Sequence, residues 1–175
     1  PHLIGGSALA LLIVFRTNSS YGRFWEGRSL IGDIIAQSQD AGRMTVTSFM
    51  SASTLARRNR IVHYLIAFPF AVRNVMRRES NMEEMRDLWD DVKFHDLLAM
   101  GNVPNALLMA CGTELAQAVQ EKELTEYTQG RIDSMLSLLM KLRAGAEKLS
   151  HTPVPFVFAI EGSRIVILFM LTLPF

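Results

Sequence analysis

The sequence carries one cysteine, Cys111, in 175 residues. No internal disulfide framework and no cysteine-cluster metal site can be built from it. Eleven glycines and six prolines are too few for a collagenous or low-complexity chain. Neither sign of charge prevails: 18 Lys and Arg face 17 Asp and Glu, for a net charge of +1. That balance lacks the broad basic field of a dedicated nucleic-acid binder. The four histidines, His2, His63, His95 and His151, lie far apart, and none has a partner at zinc-ligand spacing. No phosphate-binding glycine loop, dinucleotide fingerprint or Gly-x-Ser-x-Gly elbow occurs. No residue set remains on which to build a reaction, so the chain reads as a non-enzyme with no cofactor and no metal ligands.

Long hydrophobic runs are also scarce. Leu3 to Phe15 holds 13 residues without an ionisable side chain, against the ~20 that a bilayer span needs. Two readings fit it: a buried core helix, or part of a membrane helix completed by residues upstream. The chain opens at Pro1 and closes on Leu-Thr-Leu-Pro-Phe, apolar at both ends, which reads as a piece of a longer protein. Phe156 to Phe175 is apolar again, with Glu161 and Arg164 its only charges. These two are three apart and share a helical face.

Between the ends the pattern is helical. Tyr21, Phe24, Trp25, Leu30, Ile31, Ile34, Ile35 and Ser38 sit at helical spacing and predict a helix continuing from the first segment with one face packed. Ile61 to Val72 is an apolar stretch of 12 residues containing Pro69. It is too short to span a membrane, reads as a bundle helix, and is expected to kink at the proline. Glu79 to His95 is the most polar stretch and reads as a solvated helix and loop, or as an acidic docking site. Asn102 with Pro104 after it marks a helix start, and the helix runs from Val103 to about Gln120 on a stripe of Leu108, Cys111, Leu115 and Val119. Cys111 in that stripe is a packed small hydrophobe. Ile132, Met135, Leu136, Leu139, Leu142, Ala146 and Leu149 mark a further amphipathic helix, ended by the Pro153 and Pro155 region. The predicted fold is all-α: transmembrane segments at 1–20 and 153–175, and an extramembrane helical bundle over 21–150.

The run Phe15-Arg16-Thr17-Asn18-Ser19-Ser20-Tyr21-Gly22-Arg23-Phe24-Trp25-Glu26-Gly27-Arg28 resembles the bestrophin family of anion channels, in its bacterial, algal and chloroplast branch. Phe24 departs from the tryptophan usual in that branch. Leu142 to Phe156, with its Thr152-Pro153-Val154-Pro155, and Ile66-Ala67-Phe68-Pro69 are similar to the family in the same order. The resemblance covers essentially the whole chain, from the second membrane helix of the family to the third.

It implies a membrane-embedded homopentamer that passes chloride, with bicarbonate a second candidate, and that contacts lipid and its own copies but no nucleic acid. A bacterial inner membrane and a thylakoid or other chloroplast membrane both suit it. Calcium dependence is left open, because the acidic calcium cluster of animal members falls beyond this stretch. The resemblance places the pore neck at Ser7, Leu11 and Phe15, which are four apart and share one helical face. Ser7 stands where a large apolar residue is common, which implies a wider and wetter outer neck. An apolar ring dewets and gates, and the positive edge of the Phe15 ring meets an anion without a fixed charge. Arg16, Arg23, Glu26 and Arg28 lie just beyond, either as a salt-bridged cluster between helices or as a positive vestibule collar. Tyr127 falls near a second, cytosolic constriction. The competing reading is a membrane-anchored scaffold without channel activity, docking partners through Glu79 to Asp91. A soluble helical protein with its two apolar ends packed together is a third.

Overall fold

The computed structural model describes residues 2–79, 83–89, 96, 99–152, 164, 167, 170 and 171. Every regular element bounded among them is helical: α1 (His2–Ser48), a 3-10 turn at Ala52–Thr54, α2 (Leu55–Arg77), a 3-10 segment at Glu83–Leu88, α3 (Val103–Gln120) and α4 (Glu126–His151). No helix among the described residues is long and apolar enough to cross a membrane. The membrane segment expected at 153–175 lies outside the described residues, apart from Arg164, Ile167, Met170 and Leu171. The chain forms two compact units, Pro1–Ser29 with Lys148–Phe175, and Leu30–Glu147.

α1 is a single helix of 47 residues that passes Gly5 and Gly6 without a break. It holds no proline, so nothing in its sequence removes a backbone donor from the ladder. In the second unit its packed face runs through Ile34, Ser38, Ala41, Met44 and Thr45, with Phe49 just after the helix. The steps of three and four put these on one stripe. The packed face expected from Tyr21 onward is corrected here: Tyr21, Phe24, Trp25 and Ile35 are exposed, on sides of α1 that their own units leave uncovered.

The core of the second unit is built where α2 meets α3. α2 supplies Ile61, Leu65, Phe68 and Val72, α3 supplies Leu107, Cys111 and Leu115, and α4 supplies Ile132, Leu136 and Leu139. α2 runs through Pro69 and on to Arg77. α3 begins as its sequence predicts, with the Asn102 side chain accepting from the Asn105 N–H at 3.3 Å and Pro104 in the first turn. The polar stretch after α2 is more engaged than a solvated loop. Met85 is buried, Trp89 stacks on Tyr64 at 5.8 Å between ring centres, and Arg73 pairs with Glu84 at 2.5 Å. Gly145 on α4 lies under Leu30, whose Cδ2 would stand 3.4 Å from a Cβ placed there.

A charge sits on the buried stripe of α2. Arg57 is 8% exposed and precedes Ile61, Tyr64 and Leu65 by four, seven and eight residues. Glu114 of α3 lies 3.4 Å away, Glu121 3.1 Å away, and Glu123 bonds the remaining nitrogen. Glu114 also takes both ends of the Arg60 fork, at 2.6 and 2.7 Å. The turn after α3 makes this possible. Lys122 adopts the left-handed region at φ 61, the Lys122 N–H reaches the Val119 carbonyl and the Glu123 N–H reaches the Ala118 carbonyl. This is a Schellman turn with a lysine at the position glycine usually takes, and it brings Glu123 back beside Arg57. Burial works against the Arg57 charge, but the bond to Glu121 and the charges of Glu123 and Glu121 more than offset it and hold the proton above the usual arginine value. Burial also favours the neutral form of Glu114. The Arg60 and Arg57 guanidinia outweigh it and keep that carboxyl below the usual range. The signal for this network is in the sequence: an arginine in register with an apolar stripe needs buried partners.

Candidate functional site

The candidate site lies on α1 in the first unit. Ser7, Leu11 and Phe15 are all exposed there, Leu11 at 57% and Phe15 at 61%. At about 100° per residue these three fan across about 80° of the helix surface. The described half-buried residues between 6 and 29 are Gly6, Leu9, Arg23 and Gly27. By the same step they cluster over about 100°, centred roughly opposite the first set. Leu11 and Phe15 thus lie on the side opposite the half-buried residues above and below them, in a stretch, 10–22, that is exposed all round.

The packed side is held by one polar anchor. The Arg23 guanidinium donates to the Leu149 carbonyl at 3.0 Å and to the Thr152 carbonyl at 2.5 Å. Both acceptors belong to the end of α4, where the last carbonyls have no intrahelical donor and where the helix dipole favours a cation. The neighbouring Lys148 carbonyl is satisfied locally, by the Thr152 N–H at 3.0 Å and the Thr152 hydroxyl at 2.7 Å. One turn along α1, a Cβ at Gly27 would stand 3.3 Å from Leu149 Cδ2, so the glycine lets the two helices approach.

The charged group expected just beyond the neck divides. Arg23 joins α1 to the end of α4 through backbone carbonyls. Arg16, Glu26 and Arg28 are exposed and form no ion pair among the described residues. Tyr127, 76% exposed, sits in the first turn of α4 in the other unit. Leu149 and Thr152 carry no side-chain signature of an acceptor role, since backbone carbonyls do the accepting. Among the described residues no group of three or more His, Cys, Asp and Glu side chains is placed to hold a metal ion.

Comparison with known proteins gives one consistent answer. Residues 1–175 match the family described as bacterial/fungal bestrophin protein. A voltage-dependent anion channel-forming protein of Nostoc is 31% identical over 175 residues, covering 99% of this chain and 57% of its own length. The voltage-dependent chloride channel 2 of Arabidopsis chloroplasts is 30% identical over 181 residues, with 42% of its length covered. Among solved structures, a single-substitution variant of a bacterial bestrophin homologue from Klebsiella pneumoniae superposes with a TM-score of 0.90 at 30% identity. That match covers all of this chain and 63% of the other. The chain spans little more than half of the Nostoc relative. With a family match over its whole length, this chain belongs to the bacterial and fungal bestrophins.

Proposed function

We propose that this chain is the pore-forming part of an integral-membrane anion channel rather than an enzyme, assembled from several copies, with five the number its family resemblance implies. Chloride is the permeant ion and bicarbonate a second one. The N-terminal part of α1 from each copy lines the pore, and Leu11 and Phe15 form an apolar neck with Ser7 at its outer, wetter end. Residues 153–175 supply a further membrane helix. A helix that lines a pore contacts protein and water more than lipid, so it does not need the uniform hydropathy of a lipid-facing span. Arg16 and Arg28 raise the local anion concentration beyond the neck. Tyr127 contributes a second constriction on the cytosolic side.

The observation that supports this reading is the exposed apolar surface of α1 around Leu11 and Phe15, which its own unit leaves bare. Large apolar side chains left bare in one copy need a role in the assembly, and a weak apolar ring lets anions enter and leave. The test is anion flux from liposomes holding the full-length protein. Phe15→Ala and Leu11→Ala should each change flux or gating. Currents unchanged by both substitutions refute the neck, and absence of flux across pH, calcium and voltage leaves a membrane scaffold docking through its acidic stretch.

A further inference from the structure

We propose that Arg23 is a positioning residue whose two bonds to the Leu149 and Thr152 carbonyls, together with the Gly27 contact, set the direction in which the Ser7, Leu11 and Phe15 face of α1 points. The inference rests on the pore reading above. Three features of the first unit support it. Arg23 lies on the packed side of α1, away from the neck face, so its effect on an ion passes through the helix. Its guanidinium reaches two acceptors at once, at 3.0 and 2.5 Å. Both bonds are donated by the Nη2 group, which ties the tip of the side chain to two carbonyls at the end of α4. Gly27, one turn further on, fixes the approach of the same two helices through Leu149. Two contacts one turn apart hold both the height and the azimuth of α1 against the end of α4.

The distance to the neck is short. Phe15 precedes Arg23 by eight residues, about 12 Å along the helix. No proline lies between them, and the helix is continuous, so a turn imposed at Arg23 reaches Phe15. Of the four charges beyond the neck, Arg23 alone is engaged by the described part of its own chain. Arg16 and Arg28 are left to act on ions through their field.

The experiment uses the full-length protein in liposomes, with Arg23→Gln and Arg23→Lys each made alone and with Phe15→Ala. A parallel set carries Phe15→Cys and is labelled with a negatively charged thiol reagent. Cys111 is buried and contributes little background. Arg23→Gln should lower the labelling rate at position 15 several-fold, and Arg23→Lys, which keeps the charge on a shorter side chain, should fall between. The effect of Phe15→Ala on flux should shrink to less than half in the Arg23→Gln background, because the ring no longer faces the ions. Labelling rates unchanged by both Arg23 variants overturn the proposal, as do additive flux effects. Failure of both variants to assemble also overturns it, since Arg23 then serves folding as a whole. A wild-type protein without flux refutes the channel reading alone, because the labelling rates still report which way the face points.

Discussion

Replacing Arg57 with methionine tests how the second unit tolerates its buried charge. The substitution keeps much of the apolar stem and removes the guanidinium. Glu114 retains its bidentate partner Arg60, at 2.6 and 2.7 Å. The Glu121 side chain is 58% exposed and returns to water at little cost. Glu123 is 21% exposed and loses its bonded cation, keeping only the more distant charge of Arg60. Breaking a buried pair by removing one partner costs about 3–5 kcal/mol, and the partial access of Glu123 to water puts this case near the lower end. For a unit of this size about 3 kcal/mol corresponds to a fall in melting temperature on the order of 10 °C. Thermal unfolding of the purified full-length protein followed by circular dichroism at pH 7 measures it. Adding Glu123→Gln to Arg57→Met removes the Glu123 charge and should recover about half of the loss. A single-variant shift under about 3 °C places the network among surface pairs and refutes the reasoning. So does a double variant whose losses simply add.

Two further outcomes follow from the same unit. Glu114 is held below the usual carboxylate value, so its contribution is present above about pH 4.3 and is lost as pH falls through its lowered folded value. The melting-temperature gap between wild type and Glu114→Gln should therefore be widest at neutral pH and close on acidification; a gap that stays constant contradicts the assignment. Burial pushes the Cys111 thiol well above its usual value, so at pH 8 the folded protein should resist a thiol reagent that labels it at once in denaturant. Rapid labelling of the native protein would show that the α2–α3 core opens.

Local chemistry was legible where it depends on neighbours in sequence. The Asn102 cap and Pro104 start of α3, its Leu108–Cys111–Leu115 stripe and the amphipathic face of α4 all follow from steps of three and four, and the structure places them accordingly. The stretch after α2 was harder, because what holds Met85 and Trp89 is Tyr64 and the rest of α2, not a period of its own. Arg23 shows the limit most clearly. Its charge suggested a cluster between helices or a vestibule collar, and its acceptors lie 126 and 129 residues away and are backbone atoms. No side-chain pattern announces a carbonyl. Tyr21, Phe24 and Trp25 obey a helical period and are nonetheless exposed, because period alone states that a face exists, not what covers it. The neck proposed at Ser7, Leu11 and Phe15 rests on family resemblance, since residues at four-residue spacing on one helical face look like any packing stripe.

Each unit brings α1 and α4 together by setting a leucine over a glycine: Leu149 over Gly27 in one, Leu30 over Gly145 in the other. A Cβ at Gly27 asks the Leu149 tip to give by a few tenths of an ångström, one at Gly145 meets Leu30 at ordinary contact distance, and shrinking either leucine opens a void. The two pairs therefore differ in tolerance: added bulk at 27 is tied to what stands at 149, whereas 145 has room for a methyl group as it is.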